Sequence, residues 1–517
     1  MTDATVDTRS GKVSGTFRDV RTEPGRARTR GTARPEGADG NGVHVFRGIP
    51  YAAPPTGPRR YRAPQPPDPW TDVRECLDAG PVAPQPPSPF EAMLGAPSPH
   101  WDEDCLTLNV WTPGLDDARR PVMVWIHGGA FVNGSGSTPW YDGTRFAQHG
   151  DLVVVTINYR LGALGFLHLA PFDRDRFADA GNCGLLDQIA ALEWVRDNIE
   201  NFGGDPSRVT VFGESAGGMS VGTLLGMPAA QGLFARAIVQ SGSASFVADE
   251  ARATRIAERL LAKLDLDPSR VDEIETIPAQ AVVDAQSRLY DEEARTQLPF
   301  VPVVDGLHIP RPPLEEIAAG DAGDVPLLIG TNAHEMTLFL LLDPSLASLD
   351  EASLTKRAVG ALGERGEEAA RLYTSNRLGA PLGDALIALE SDRVFRIPAI
   401  RLAEAEVRAG RPVHMYLFAW ETPAFGGALR SAHALELPFV WDALDQNGVG
   451  ILTGDGPERQ ALATRMHRHW IEFARTGEPG WPEYDLESRR VVVFDGEGER
   501  VVADPAGDER RLWDGVG

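Results

Sequence analysis

The sequence predicts an α/β fold in which a mostly parallel sheet is covered by helices on both faces. From Leu106 onward, short runs of valine, isoleucine and leucine alternate with segments of helical periodicity. Continuous apolar runs, unlike runs that alternate with polar residues, are typical of strands buried on both faces. One such run, residues 209–212, leads directly into a glycine-rich turn and then into a segment that can continue as a helix. A strand, a turn and a helix in this order indicate a doubly wound arrangement.

Nine segments are predicted to be strands. Two of them precede Leu106 and flank a charged, glycine-rich stretch, residues 21–41, which we interpret as a loop. The other seven are short and rich in β-branched residues. The nine predicted strands are residues 12–17, 43–46, 108–111, 122–126, 152–157, 209–212, 237–239, 327–329 and 413–419.

One helix between these strands has clear start and stop signals. Asn182 is a suitable cap at its start, and Gly203 and Gly204 follow its end. The apolar residues in between recur every three or four positions, which predicts a single buried stripe. These residues are Leu185, Ile189, Leu192, Val195 and Ile199.

Two segments interrupt the alternating pattern. Residues 251–297 and 344–411 are rich in Glu, Arg, Ala and Leu and contain no strong strand signal. We therefore predict helical insertions that lie above the sheet as a lid at the entrance to a site. The whole chain, residues 1–517, is predicted to be one large domain that carries these insertions.

The composition is that of an ordinary globular protein. Its formal net charge of −24 disfavours a nucleic-acid or anionic-membrane surface, since both need clustered positive charge. The start of the chain lacks the apolar core of a signal peptide, and no uninterrupted apolar run of about 18 residues follows. We expect a cytoplasmic protein without nucleic-acid or membrane partners, and the predominance of arginine over lysine indicates a bacterial, GC-rich genome. Both a monomer and a dimer are compatible with the sequence.

The turn after residues 209–212 reads Gly213-Glu214-Ser215-Ala216-Gly217. In a G-x-S-x-G turn between a strand and a helix, the serine adopts a strained backbone conformation that exposes its hydroxyl. The flanking glycines keep side chains from colliding. Because so short a pattern also arises by chance, Ser215 is supported as a nucleophile only if the sequence supplies its partners.

A serine nucleophile needs a base within hydrogen-bond reach and an acid that orients this base. Glu335 comes shortly after predicted strand 327–329, at the edge where open α/β sheets place their sites, and is the candidate acid. Asp305 is the alternative acid. His433 follows predicted strand 413–419 through a glycine-rich loop and is the candidate base. The chain order of serine, acid and histidine matches that of other nucleophiles on such a turn.

The attack of serine on a carbonyl group creates an oxyanion that needs N–H donors. Predicted strand 122–126 ends in His127-Gly128-Gly129, where residues without side chains let backbone N–H groups point into a site. Together with the N–H group of Ala216, those of Gly128 and Gly129 are predicted to form a three-donor oxyanion hole. We interpret His127 as a structural residue.

These motifs and further segments along the chain resemble the type B carboxylesterase family, the cholinesterase-like branch of the α/β-hydrolases. The matching segments are residues 46–52, 103–109, 127–131, 158–160, 181–188, 202–206, 213–218, 240–242 and 470–477. The resemblance implies an α/β-hydrolase fold in which Ser215, Glu335 and His433 are the catalytic triad. It also implies that Gly128, Gly129 and Ala216 form the oxyanion hole and that Ser241 is a buried group near the triad.

The activity that this resemblance implies is hydrolysis of small-molecule carboxylic esters to acid and alcohol through an acyl-enzyme intermediate. No metal or organic cofactor is required, and esters are favoured over amides because an alkoxide leaves more easily than an amine. One alternative is a cholinesterase-like binding protein that has lost catalysis. Another is an amidase, thioesterase or lactonase that uses the same triad.

The sequence also departs from the family pattern. The acid usually stands in a G-x-N-x-D-E-G run, whereas here His334 and Met336 flank Glu335. Secreted members commonly pair the cysteine at position 105 with an upstream cysteine, but the matching position holds Ala83, so we predict no such bridge. A link between Cys76 and Cys105 stays open. The three cysteines fit neither a zinc site nor a disulfide framework, which favours a reducing compartment.

Some side chains have both a functional and a packing interpretation. Glu214 either tunes the field at the nucleophile or takes part in a buried salt bridge, and Cys183 is either a thiol of lowered pKa or an inert packed residue. His467 and His469 are two positions apart on a predicted helix and so face apart, which disfavours a metal pair. Three aromatic residues either line a substrate pocket or pack in the core, namely Phe131, Trp140 and Phe300.

Overall fold

The computed structural model describes residues 4–19, 42–88, 99–293, 298–341 and 343–516. The predicted loop of residues 21–41 lies outside these ranges. The strands, in chain order, are β1 Ala4–Thr8, β2 Gly11–Asp19, β3 Gly42–Pro50, β4 Arg74–Glu75, β5 Thr107–Thr112, β6 Arg120–Ile126, β7 Val153–Ile157, β8 Gly204–Glu214, β9 Arg236–Gln240, β10 Ala248–Asp249, β11 Val303–Val304, β12 Leu327–Asn332, β13 Val413–Phe418, β14 Arg490–Asp495 and β15 Gly498–Ala503.

Thirteen of these strands form one mixed sheet. Its spatial order is β1-β2-β3-β5-β7-β6-β8-β9-β12-β13-β14-β15, with β4 paired to β2. The strands from β7 to β14 in this order are parallel to one another, and antiparallel strands flank them on both sides. The prediction of a mostly parallel central sheet is confirmed. Strands β10 and β11 form a separate two-stranded parallel sheet.

All nine predicted strands are present, with ends that differ by a few residues. The largest difference is at β8, which runs from Gly204 to Glu214 and so reaches the residue before Ser215. Six strands were not predicted from the sequence: β14, which lies inside the sheet, the edge strands β1 and β15, and the two-residue strands β4, β10 and β11. Strand β15 is mostly exposed, and its only apolar run is the short segment Val501-Val502-Ala503 at its end.

The central strands are buried on both faces. In β6, Val122, Val124 and Ile126 pack into one hydrophobic core, whereas the alternate residues Met123 and Trp125 pack into a second core on the other face. This explains why the sequence of such a strand is a continuous apolar run rather than an alternating one.

The helices lie between and beside these strands. In chain order they are α1 Thr144–Gly150, α2 Gly162–Phe166, α3 Arg174–Phe177, α4 Cys183–Asn198, α5 Ala216–Leu225, α6 Glu250–Lys263, α7 Ala279–Glu293, α8 Pro313–Ala319, α9 Thr337–Leu340, α10 Pro344–Ala347, α11 Glu351–Leu362, α12 Gly366–Ser375, α13 Leu382–Ser391, α14 Ile397–Arg408, α15 Leu437–Val440, α16 Val449–Thr453, α17 Pro457–Thr476 and α18 Gly507–Leu512. No described helix is both long enough and apolar enough to span a bilayer.

Helix α4 begins and ends where the sequence predicts, but two details of the prediction are wrong. Asn182 holds the N-cap position without capping the helix, because its side chain donates to Val303 O at 2.9 Å and to Asp305 Oδ2 at 2.8 Å. The helix is also buried on most sides, including its polar residues Asp187 and Gln188, rather than along one stripe. A tertiary partner has replaced the local cap.

Both interruptions of the alternating pattern are helical. The first contains α6, a 3₁₀-helical segment Pro268–Thr276 and α7. The second contains α10 to α14, with a π-helical turn, Asp392–Arg396, between α13 and α14. In the described part of each segment there is no strand. Their action as a lid stays a prediction.

A buried ion pair connects the end of β7 to α4. The guanidinium group of Arg160 donates to both carboxylate oxygens of Asp187, at 2.8 and 2.7 Å, and the Arg160 N–H group donates to the same carboxylate at 3.0 Å. The two side chains are 3% and 0% exposed. Because charges this deeply buried are stable only as a pair, the contact fixes α4 against the sheet.

We expect the substitution Arg160→Gln to lower the free energy of unfolding by about 3–5 kcal/mol, since it leaves the Asp187 carboxylate buried without its counter-ion. Arg119→Gln is the matched control, because Arg119 is 56% exposed in its pairs with Glu200 and Asp205 and should cost less than about 1 kcal/mol. Urea unfolding followed by circular dichroism measures both. Equal losses in the two variants would contradict the assignment of a structural role to the buried pair.

Candidate active site

Ser215 occupies the sharp turn between β8 and α5. Its backbone angles are φ 56° and ψ −124°, a conformation that residues other than glycine rarely adopt. The N–H group of Ser215 donates to Gln240 O at 2.9 Å, and its carbonyl oxygen accepts from Met219 N at 2.7 Å. These bonds to β9 and to the first turn of α5 hold the strained residue in place.

The two glycines of the turn are required by close backbone approach. A Cβ atom on Gly213 would lie 2.5 Å from the carbonyl carbon of Gly217, and one on Gly217 would lie 2.0 Å from Ile126 O. Both distances are far below van der Waals contact. The steric role that the sequence predicts for these glycines is therefore confirmed.

Glu335 and His433 are in direct contact. His433 Nδ1 lies 2.6 Å from Glu335 Oε2, and the other oxygen, Oε1, accepts from Ser241 Oγ at 2.6 Å and from Asn332 N at 2.7 Å. The Glu335 side chain is fully buried, so these donors replace the water that a carboxylate would otherwise need. Ser241 thus orients the carboxylate that contacts the imidazole.

The alternative acid, Asp305, lies elsewhere. Its Oδ1 accepts from the backbone N–H groups of Leu307, His308 and Ile309, and its Oδ2 accepts from Asn182. The carboxylate is therefore engaged in a turn after β11 and not with His433.

The second nitrogen of His433 faces Glu214. His433 Nε2 lies 3.1 Å from Glu214 Oε1, although this oxygen has no hydrogen bond of good geometry. Burial lowers the pKa of His433, but the charges of Glu214 and Glu335 outweigh it and bring the pKa to about 9. Burial raises the pKa of Glu214 to about 8. The Glu214 carboxylate thus lies in direct contact with the imidazole.

A third buried carboxyl group, that of Glu436, lies behind this pair and was missed by the sequence analysis. It accepts from Gln240 Nε2 at 3.0 Å and from Asn332 Nδ2 at 2.7 Å. Burial, followed by the charge of Glu335, raises its pKa. The only indication in the sequence that Glu436 lies near the site was its position three residues after His433.

The loop after β6 approaches Ser215 closely. A Cβ atom on Gly128 would lie 3.1 Å from the Ser215 Cβ atom, and Gly129 has φ 109°. Among the described residues, no acceptor pairs with the N–H groups of Gly128, Gly129 or Ala216, which are therefore free to bind a ligand. The same is true of Ala130, whose φ of 53° continues the left-handed run and which the sequence analysis did not select.

Two aromatic rings contact the imidazole, and neither was predicted from the sequence to lie at the site. The Phe395 and His433 ring centroids are 4.7 Å apart, and those of Phe339 and His433 are 5.2 Å apart. Phe395 is buried, whereas Phe339 is 50% exposed. Phe339 lies four residues after Glu335, but nothing in the sequence indicated that Phe395 is near the site.

The other candidate residues have packing roles. His127 is buried, stacks on Tyr159 and contacts Gly128 O through Nδ1 at 2.8 Å. Burial raises the pKa of Cys183 to about 12, so the interpretation as a thiol of lowered pKa is wrong. The three aromatic residues that were candidates for a pocket are all buried in the hydrophobic cores, namely Phe131, Trp140 and Phe300.

His467 and His469 bind separate carbonyl oxygens, those of Val440 and Pro479, and thus face apart. In the described part of the chain, no group of three or more His, Cys, Asp or Glu residues is arranged to hold a metal ion. Cys76, Cys105 and Cys183 are free and buried.

Known proteins have similar sequences along most of this chain. Residues 5–507 match the carboxylesterase family. The chain is 41% identical to the para-nitrobenzyl esterase of Bacillus subtilis over 489 residues, which cover 92% of this chain and 96% of the relative. It is 38% identical to the phenmedipham hydrolase of Pseudarthrobacter oxydans, over 90% of this chain and 94% of the relative.

Solved structures of esterases also superimpose on this chain. The crystal structure of a Geobacillus stearothermophilus carboxylesterase at pH 6.2 superimposes with a TM-score of 0.84 and 43% identity, over 98% of this chain and 99% of that chain. A thermophilic para-nitrobenzyl esterase structure gives a TM-score of 0.85 at 39% identity, over 99% of this chain and 100% of that chain. The chain therefore belongs to the carboxylesterase family and is a carboxylic ester hydrolase with the α/β-hydrolase fold.

Proposed function

We propose that Ser215 is the nucleophile of this ester hydrolase, with His433 as its base and Glu335 as the acid that orients the base. The observation that carries this assignment is the 2.6 Å contact between His433 Nδ1 and the buried Glu335 carboxylate. The other ring nitrogen, Nε2, faces Glu214 Oε1 at 3.1 Å without a hydrogen bond of good geometry, and in the proposed reaction it exchanges a proton with a hydroxyl group. The strained turn at Ser215 supports the same assignment, since strain at a nucleophile is characteristic of this arrangement.

In the proposed reaction, Ser215 Oγ attacks the ester carbonyl carbon while His433 Nε2 removes the hydroxyl proton. The N–H groups of Gly128, Gly129 and Ala216 stabilise the oxyanion, and that of Ala130 is a further candidate donor. His433 then donates its proton to the alcohol oxygen, the C–O bond breaks, and an acyl-enzyme remains. Water, deprotonated by the same histidine, attacks the acyl carbon. The bond between this carbon and Ser215 Oγ then breaks, His433 returns the proton to Oγ, and the acid is released.

The exposed ring beside His433 supports a preference for esters whose alcohol portion is apolar or aromatic. Since His433 protonates the leaving alcohol, we place this portion of the substrate beside Phe339, whose ring contacts the imidazole. The half-exposed ring of Phe339 is available to pack against it. We infer that benzyl or aryl esters are better substrates than ethyl esters of the same acid.

The remaining proposals concern partners and location. The net charge of −24 supports a small-molecule ester, and not a nucleic acid or a membrane, as the partner. The three free cysteines support a cytoplasmic location.

The substitution Ser215→Ala should lower kcat by about 10⁴-fold or more, because the covalent route is lost. Purified protein is assayed against ethyl, benzyl and aryl esters, an anilide and a thioester. Ser269→Ala, at an exposed position in the first helical insertion, is the control and should keep full activity. Ester cleavage that survives Ser215→Ala would exclude the proposed nucleophile.

Glu335→Gln should lower kcat by about 10³–10⁴-fold, because the amide no longer fixes the tautomer and orientation of His433. Its far-ultraviolet circular dichroism should match that of the parent protein, since the side chains are nearly isosteric. Asp305→Asn is the matched control and should leave kcat within about two-fold. If the two variants exchanged these outcomes, the acid would be Asp305.

Glu214→Gln should move the acid limb of the pH profile of kcat/KM to lower pH, by about one unit. The base acts only when His433 is neutral, so activity rises as the pH passes through the pKa of this residue. Glu214 raises this pKa, and removing its charge therefore lowers it. Glu250→Gln, which removes a carboxylate near His168 instead, is the control. A shift to higher pH, or no shift, would contradict the role of Glu214.

A further inference from the structure

The π-helical turn Asp392–Arg396 lies between α13 and α14, at the point where the second helical insertion reaches the site. Such turns are rare in proteins, and they occur frequently at functional sites because the extra residue changes the direction of the side chains. The contacts of this turn divide into two sets, one toward the site and one toward the C-terminal end of the chain.

The first set of contacts reaches the residue after Glu335 and the ring of His433. Ser391 Oγ, at the end of α13, accepts from the N–H group of Met336 at 3.0 Å, and Met336 directly follows Glu335. Four residues later, the ring of Phe395 lies 4.7 Å from the His433 ring with an interplanar angle of 36°. Residues four apart lie on the same side of a helix. One side of the turn therefore holds both the loop of the acid and the ring of the base.

The second set contacts the C-terminal segment. Asp392 accepts from Tyr373 Oη and from Arg396 Nε, at 2.5 and 2.6 Å. Tyr373 Oη in turn accepts from Trp513 Nε1 at 2.9 Å, and Arg396 also donates to Pro505 O at 2.9 Å. Tyr373, Asp392 and Trp513 are all buried. The turn is thus bonded to residues on both sides of α18, the last helix.

The base has a particular need for such support. Glu335 fixes one nitrogen of His433, whereas the contact of the other nitrogen with Glu214 at 3.1 Å lacks good hydrogen-bond geometry. These two contacts alone leave the imidazole free to tilt. A proton transfer depends on the position of Nε2 to within a fraction of an ångström. Of the two rings that contact the imidazole, Phe339 is half-exposed and only Phe395 is buried and backed by the protein interior.

We propose that the π-helical turn Asp392–Arg396 positions His433, by holding Phe395 against the imidazole, and that Tyr373 and Trp513 couple this contact to the C-terminal segment. Phe395, Tyr373 and Trp513 are positioning residues, since they act through the base and not on the substrate. The proposal rests on the proposed role of His433 as the base. The proposed connection runs from Trp513 to the Tyr373 hydroxyl group, then to the Asp392 carboxylate in the turn. From the turn it reaches His433 through the ring of Phe395.

The test is a double-mutant cycle on the full chain, with Phe395→Leu, Tyr373→Phe and the two combined. Each single variant should lower kcat for a short-chain ester about ten-fold while KM changes less than about three-fold. Tyr373→Phe should have little further effect in the Phe395→Leu background, because the ring through which it acts is then absent. Trp513→Phe, which removes the donor to Tyr373 together with part of the buried ring, should also lower kcat, and Phe395→Tyr should restore most of the activity that Phe395→Leu loses.

A readout that does not depend on activity accompanies the kinetics. The NMR shifts of the His433 ring protons contain a ring-current contribution from Phe395, which Tyr373→Phe should change. Tyr61→Phe is the matched control, since the Tyr61 hydroxyl is equally buried but has no hydrogen-bond partner among the described residues. It should leave kcat, KM and the His433 shifts unchanged.

The outcomes separate the proposal from the function on which it rests. If Phe395→Leu keeps the parent kcat and pH profile, the positioning role is wrong. If Tyr373→Phe and Phe395→Leu are fully additive, the coupling to the C-terminal segment is wrong. His433→Ala is assayed beside them, and a variant that retained turnover would overturn the proposed base itself, whatever the cycle showed.

Discussion

The burial of the Glu335 carboxylate is the constraint on which the geometry of the site depends. A carboxylate without exposure to water must find all its donors within the protein, or its burial costs several kcal/mol. Its donors come from three places: Ser241 after β9, Asn332 at the end of β12, and His433 after β13. Because β9, β12 and β13 are neighbours in the sheet, satisfying one side chain fixes the relative positions of three strand ends.

The same burial sets the electrostatics of the proposed base, His433. Glu214, Glu335 and Glu436 surround its imidazole, and all three are almost completely excluded from water. Such an arrangement favours the imidazolium that the proposed mechanism forms during acyl transfer, but it also favours the protonated ring at rest, where that mechanism needs a neutral base. Glu214 itself resists ionisation because of its burial, so its effect on the imidazole depends on its own protonation.

The parts of the site that depend on local physical constraints could be predicted from the sequence. A buried strand is visible as an apolar run, and the turn at Ser215 is visible because Gly213 and Gly217 have no room for a side chain. The positions of Glu335 and His433 after predicted strands were enough to bring them together. Asn182 shows the limit of such reasoning, because a suitable cap residue uses its side chain for Val303 and Asp305 instead.

Contacts between distant segments leave no such pattern. Trp513 and Tyr373 are 140 residues apart in sequence, and Phe395 and His433 meet only because a π-helical turn directs the phenylalanine ring. A proline does follow the turn, because Pro398 stands in the first turn of α14. A proline there removes the N–H group that would bond to Val394 O and crowds that carbonyl. The conformation of the turn therefore has a local cause in the sequence as well as the tertiary contacts of Asp392 and Phe395.

Backbone strain is concentrated at the same place. Five residues other than glycine with positive φ lie in or next to the site, namely Ala130, Phe131, Ser215, Ser241 and Ala434. Each such conformation costs on the order of 1–3 kcal/mol and persists only where the surroundings determine it. Ser215 is held by its N–H bond to Gln240 O, and Ser241 by its N–H bond to Gly330 O. Both bonds lie at the carboxyl ends of the central parallel strands, where Ser241 and Asn332 also donate to Glu335. A loosening of this end of the sheet would relax Ser215 and Ser241 and displace donors of the Glu335 carboxylate at the same time, so these parts of the site depend on one another.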